Sequence, residues 1–212
     1  ENSVVNPDVI NNLPSDRISG GATRGSNLFH SFQYFNVGAG RGAYFSNPDG
    51  IANILTRVTG SNPSNILGKL GVLGNANLFL LNPKGIFFGA NATLDLGGSF
   101  LATTADSLVF DNNFEFSASK AQAPPQLTVN IPIGLRFRDN SGNINVQGKG
   151  QGIRRTSDLI DTTDALRVQP DQTLAFVGGN VSLERATLKT AGGRIELGSV
   201  TGDGFVKGKE CR

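Results

Sequence analysis

The chain has 212 residues, with 19 basic side chains against 17 acidic ones, and its Lys and Arg are scattered rather than gathered into the basic stripe of a nucleic-acid surface. No apolar run approaches the roughly 18 residues of a membrane-spanning helix, and the single cysteine, Cys211, excludes an internal disulfide. Glycine at 28 residues, punctuating short Val, Ile, Leu and Phe runs with no Trp or Met, describes an all-β chain rich in turns. Nothing after Glu1 has the basic-then-apolar pattern of a signal peptide, so any leader is expected to have been removed or never present.

Residues 1–45 carry Phe29, Phe32, Phe35 and Phe45, which are expected to cover the apolar cross-section of the first coil as an N-terminal cap. The only histidine, His30, sits among them. With no further His and no Cys near it, a typical zinc site is ruled out, and the residue reads as a hydrogen-bonded member of the cap. Gly38-Ala39-Gly40-Arg41-Gly42 lacks the Lys-Ser/Thr of a phosphate-binding loop. Next comes Asn47-Pro48-Asp49-Gly50. Ile51, Ile54, Leu55 and Val58 then fall on helical spacing, yet Thr56, Val58 and Thr59 are β-branched and Gly50 and Gly60 bracket the run, so a strand is predicted.

From Leu70 onward, alternating apolar pairs return on a beat of eight: Leu70 with Val72, Leu78 with Leu80, Ile86 with Phe88, Leu94 with Leu96. Gly74-Asn75, Asn82-Pro83-Lys84-Gly85, Gly89 with Asn91 and Gly97-Gly98 separate them. A beat of seven returns through Val181, Leu188 and Ile195. Each unit is too short to bury its own apolar face, which leaves hairpins in a sandwich or coils stacked in a solenoid. Strands this short and this evenly spaced favour the solenoid, with three units to a coil of roughly 21 to 24 residues. In Asn82-Pro83-Lys84-Gly85 the Asn side chain is suited to accept from the backbone two residues on, Pro presets φ, Gly tolerates φ > 0, and Ile86 returns the chain to the core.

Ser117–Gln126, rich in Ala, Ser and Pro, reads as an excursion off the coil. Asp158, Asp161 and Asp164 are spaced by three, but the glycine and terminal Glu of an EF-hand loop are missing, so a solvated loop or short helix over Thr156–Leu166 is preferred to a calcium site.

Asn47 to Phe110 resembles the haemagglutination-activity, or two-partner-secretion, domain of filamentous-haemagglutinin-like exoproteins. The resemblance is carried by Asn47-Pro48-Asp49-Gly50, Ile54-Leu55-Thr56-Arg57-Val58-Thr59-Gly60, Asn62-Pro63-Ser64, Gly68 to Leu81, Asn82-Pro83-Lys84-Gly85-Ile86 and Gly98 to Thr104, with Leu127–Phe137 and Leu174–Val200 also similar. The family's secretion signatures are usually written NPNL and NPNGI; here Asp49-Gly50 replaces Asn-Leu, and Lys84 replaces the second Asn.

The resemblance implies an all-β, right-handed parallel β-helix forming one secretion domain over 1–212, with a cap over 1–45, coils over 46–212 and excursions near 111–126 and 150–173. It implies secretion motifs at Asn47, Pro48, Asp49, Gly50, Asn82, Pro83, Lys84, Gly85 and Ile86. It also implies a partner, an outer-membrane β-barrel transporter with periplasmic recognition domains. The protein is then secreted or held at the surface of a Gram-negative-type envelope, is transiently periplasmic, and is the front of a longer exoprotein. No cofactor, metal, nucleic acid or small-molecule substrate is expected, although self-association through an open C-terminal end is.

Two rival functions remain open on the residues alone. A polysaccharide-active β-helix enzyme needs facing carboxylates, for which Asp95, Asp106, Asp111 and Asp139 are the candidates, but none stands in a recognisable constellation with His or Arg. A glycan-binding adhesin needs exposed aromatics, and only Tyr34 and Tyr44 offer themselves.

Overall fold

The structure, a computed structural model, describes residues 2–122, 132–138, 141–150 and 164–208. Among these there is no helix: the fold is all-β and dominated by parallel pairing. It opens with an antiparallel hairpin of β1 (Ser3–Ile10) and β2 (Leu13–Gly20), joined through Asn11 and Asn12 at φ 51° and 61°. Asn is one of the few residues that accepts two consecutive left-handed positions, as a tight two-residue hairpin demands.

Three stacks of parallel strands come next. In sheet A, β2 is succeeded by β5 (Gly42–Ser46), β8 (Lys69–Leu73) and β11 (Thr93–Asp95). Sheet B starts with a second antiparallel pair, β3 (Ala22–Arg24) and β4 (Asn27–Phe32). It continues in parallel through β6 (Asn53–Val58), β9 (Asn77–Leu81), β12 (Phe100–Thr103), β18 (Thr173–Gly178) and β21 (Arg194–Ser199). Sheet C holds β7 (Ser64–Ile66), β10 (Ile86–Phe88), β16 (Ile144–Gln147) and β19 (Val181–Glu184). A short parallel pair, β17 (Leu166–Arg167) with β20 (Leu188–Lys189), completes the parallel set.

The chain visits the sheets in rotation. Leu70 lies on β8 of sheet A, Leu78 on β9 of sheet B and Ile86 on β10 of sheet C; Leu94 returns to sheet A directly beside Leu70. Three beats of the sequence therefore make one layer. Asn53 faces Asn77, 24 positions on, and Leu78 faces Phe100, 22 positions on. This register is that of stacked coils and is compatible with a β-helix. Between the three sheets lies one continuous core that includes Phe45, Ile54, Leu70, Leu80, Ile86, Phe88, Phe100 and Phe176.

One coil is interrupted. After β12 the chain leaves the stack as β13 (Ser107–Val109), β14 (Glu115–Ser117) and β15 (Gly134–Phe137), and β22 (Gly204–Lys207) joins them in an antiparallel sheet D. Sheet D packs on the outer face of sheet B. Phe110, Phe116, Leu135 and Phe137 meet Phe29, Leu55 and Leu81 in a second core. Sheet B is thus covered on both faces, and such strands read as continuous apolar runs rather than alternating ones. That explains the helical spacing around Ile54. All six residues of β6 are buried, Ile54 and Val58 in the inner core and Leu55 in the outer one.

The four phenylalanines of the first 45 residues divide in the same way. Phe32, Phe35 and Phe45 are mutual neighbours at 5.4 to 6.5 Å in the inner stack. Phe29 points the other way, onto Phe116 at 5.0 Å and Phe110 at 6.0 Å. The expectation that all four cover the first coil is therefore corrected for Phe29, because alternation along β4 sends it to the opposite face from Leu28 and His30.

Candidate functional site

The two Asn-Pro turns occupy corners of the stack. Asn47 comes after β5 and precedes β6; Asn82 comes after β9 and precedes β10. At the second, Gly85 N–H donates to Asn82 C=O at 3.1 Å, so Asn82-Pro83-Lys84-Gly85 is one turn with Pro at its second position. Asn82 is 0 % exposed. Its Oδ1 accepts from Lys84 N–H at 3.0 Å, and its Nδ2 donates to Asn62 C=O at 3.1 Å and to Ser64 Oγ at 3.0 Å. The side chain thereby links its own turn to the neighbouring coil's segment just before β7. Gly85 sits at φ 121°, a conformation that a side chain would strain, and Ile86 enters the inner core.

The first motif differs by one letter and has a different frame. Here Ile51 N–H donates to Pro48 C=O at 3.2 Å, so the turn begins at Pro48 and places Gly50, at φ 80°, in its third position. A type II turn needs φ > 0 there, which Gly supplies without steric cost. Asn47 lies just outside this turn and holds it against the next coil. Its Nδ2 donates to Ile51 C=O at 3.0 Å and Pro48 C=O at 3.2 Å, while its Oδ1 accepts from Ala76 N–H at 2.9 Å. Pro48, Asp49 and Gly50 are exposed.

A cleft of about 420 Å³ borders the second turn, lined among others by Thr59, Ser61, Pro83, Lys84 and Arg138. Its floor is polar but self-satisfied: Arg138 pairs with Asp106 and, at 3.0 Å, with Glu115, and Ser117 Oγ donates to Asp106 at 3.0 Å. Among the described residues, the acidic candidates for sugar chemistry belong to separate networks. Asp95 accepts from Tyr44 Oη at 2.7 Å on sheet A, and Asp106 belongs to the ion-pair network beside sheet D. Asp111 lies exposed in the β13–β14 connection, while Asp139 lies outside the described residues. Of the three aspartates weighed as calcium ligands, Asp158 and Asp161 also lie outside them; Asp164 pairs with Lys149 at 3.1 Å. Among the described residues no cluster of three His, Cys, Asp or Glu side chains has metal-binding geometry.

Two positions carry more than their sequence context indicated. Arg57 is 5 % exposed. Its Nε donates to Ser31 Oγ at 2.7 Å, its terminal nitrogens donate to Ser117 and Gln122 C=O at 2.9 Å each, and its guanidinium lies 4.4 Å over the Phe116 ring. Burial pulls its pKa down to about 10. It pins sheet D and the segment after it to sheet B. His30, 1 % exposed, shares a hydrogen bond with Ser3 Oγ at 2.9 Å through Nδ1, while Nε2 has no partner among the described residues. Burial alone holds its pKa down at about 4. The only advance signal for Arg57 was its place as the one charge in the run Ile54–Thr59.

These corners stand on a scaffold of stacked parallel strands with a sheet folded over its flank. The family model of the TPS secretion domain matches residues 7–208, and the chain belongs to that family of two-partner-secretion exoproteins. Among curated proteins, the heme/hemopexin-binding protein of Haemophilus influenzae is 38 % identical over 72 residues, a stretch that makes up 34 % of this chain and 8 % of that protein. The matched stretch thus spans less than a tenth of the relative's length.

Proposed function

We propose that this chain is the N-terminal secretion domain of a haemagglutinin-like exoprotein, recognised in the periplasm by an outer-membrane β-barrel transporter and folding outside the cell as a right-handed parallel β-helix capped by residues 1–45. The observation that carries this is the family match across nearly the whole chain. The fold adds physical support. A chain without disulfides, built of layers of about 20 residues, passes a narrow pore unfolded and recovers structure layer by layer. At 0.05–0.15 kcal/mol per residue, each layer contributes roughly 1–3 kcal/mol, enough to bias transit outward. No catalysis is assigned to it.

Within that role the two motifs differ. Asn82, Pro83, Lys84, Gly85 and Ile86 act through architecture, because the Asn is buried and every polar atom of its side chain is bonded inside the fold. Asn47, Pro48, Asp49 and Gly50 present an exposed turn and are the better candidate for contact with the transporter. Leu183, Ile195 and Leu197, exposed on the far edges of sheets C and B, support weak self-association at that end.

The test joins the fragment to a signal peptide, co-expresses it with its transporter and measures export, with circular dichroism of each refolded variant in parallel. Asn82→Ala is expected to lose export in step with its loss of fold stability. Asp49→Lys is expected to keep the fold and lose export. Release into the medium without the transporter would overturn the proposal.

A further inference from the structure

Sheet D is assembled from two distant parts of the chain. Strands β13, β14 and β15 leave the stack after β12, but the fourth strand, β22, arrives only after β16 has closed the interrupted layer, β17 to β19 have added the next, and β20 and β21 have begun another. It lies antiparallel to β15, with Leu135 opposite Val206 and Arg136 opposite Phe205, and Gly208 N–H extends the ladder to Ile133 C=O at 2.9 Å. The contacts are specific to this pair. The Phe205 ring lies over Gly134, where a Cβ would collide with it, and the Arg136 guanidinium stands 5.3 Å above the same ring. Val206 packs against the second core, to which the three earlier strands and the connection between them contribute Phe110, Phe116 and Phe137.

The geometry points to β22 as a strap: it closes the β15 edge and locks sheet D onto sheet B, while the inner stack holds without it. Two features separate the strap from the stack. It touches none of the inner core, and its removal leaves β15 as an open antiparallel edge with a ready acceptor at Ile133. In a chain that emerges N-terminus first, a consequence that rests on the secretion role proposed above, β15 surfaces well before β22. Its edge then stays open to pairing until the next layer is complete.

Amide hydrogen exchange on the whole chain tests the strap without reference to secretion. In the unmodified protein, amides of Leu135 and Val206 are expected to exchange at a common rate, roughly 10-fold or more faster than Leu80 of β9, because they open as a local unit. With Val206→Pro, which removes a ladder donor, or Val206→Asp, which sets a charge against the second core, exchange at Leu135 is expected to rise by about 100-fold. Leu55 and Leu80 should stay within about threefold of their original rates. A synthetic peptide of residues 203–208, Asp-Gly-Phe-Val-Lys-Gly, added to the Val206→Pro protein should restore slow exchange at Leu135. Leu135 exchanging in step with Leu80 in the unmodified chain would overturn the strap, as would equal acceleration of β9 and β15 in the variants or no effect of the peptide. Loss of export with an intact strap would bear on the secretion role alone.

Discussion

Asn47-Pro48-Asp49-Gly50 and Asn82-Pro83-Lys84-Gly85 differ by one letter, yet they close different turns. The second turn is bonded from Asn82 to Gly85, the first from Pro48 to Ile51. The single-residue shift moves the Asn from inside the turn to its flank. It also moves the Gly from the closing position, at φ 121°, to the third, at φ 80°. Both asparagines fasten one coil to another, Asn82 to Asn62 and Ser64, Asn47 to Ala76. Burial then separates them, because Asn82 is sealed from solvent and Asn47 is not. A spelled motif therefore fixes neither the turn frame nor the energetic weight of its residues; the neighbouring coil decides both.

The sharpest way to break this comparison is Asn82→Ala. The substitution strands Ser64 Oγ in a buried corner, at about 1–3 kcal/mol, and takes one bond each from the half-buried Asn62 C=O and Lys84 N–H, at about 0.5–1.5 kcal/mol each. After partial relaxation a loss of about 4 kcal/mol is expected. It would be read as a lower urea midpoint at unchanged slope. A midpoint equal to that of Asn47→Ala would erase the distinction between the turns.

Acid weighs the layers nearer Asn47 against those around Asn82. His30 lies on β4, beside β6, and its folded pKa of about 4 is below the ordinary 6.5. The unfolded chain therefore takes up a proton that the folded chain refuses. Stability is at its full value above pH 6.5, falls as the pH drops below that, and levels off once the pH passes below about 4. The window is worth about 3 kcal/mol. Urea titrations at pH 7 and pH 4.5 should show most of it, and His30→Gln should flatten the slope. Exchange at β4 and β6 should quicken before exchange at β10; uniform quickening would place the weak point elsewhere.

Asn47→Ala is next in size. Its three bonds are partly open to water, which replaces what is lost, so about 1.5 kcal/mol is expected. Amide protection at Ala76 should fall with it, since that N–H has Asn47 Oδ1 as its acceptor. Retained protection there would mean that the cross-coil bond carries no weight.

How much of this was legible depends on the physics of each element. The beat of eight between Leu70 and Leu96 reported the three-sheet rotation, because each beat is one strand plus one corner and every third beat returns to the same sheet. The run from Ile54 to Val58 was ambiguous because two cores bury both faces of β6, erasing the period of two. Sheet D left no periodic trace. Its strands are three or four residues long, and its last pairing joins Gly134 to Lys207 across another layer. The Asn-Pro corners were legible as turns, but not their frame. The frame depends on Asn62, Ser64 and Ala76, residues that only the stacking register brings near. Arg57 was visible as the one charge in the run Ile54–Thr59, while its acceptors, Ser117 and Gln122 C=O, lie 60 and 65 residues away.

The smallest effect is the most discriminating for function. At Lys84 the backbone N–H bonds to Asn82 Oδ1, while the side chain reaches solvent beside the cleft. Lys84→Ala keeps the N–H and disturbs neither φ nor the core, so stability should change by no more than about 0.5 kcal/mol. If the second motif acts through architecture, export by the transporter should be unchanged as well. Export lost at an unaltered urea midpoint would show that the exposed side chain of a buried-Asn turn is itself read by the partner. The division between an architectural corner at Asn82 and a presented one at Pro48-Asp49-Gly50 would then have to be withdrawn.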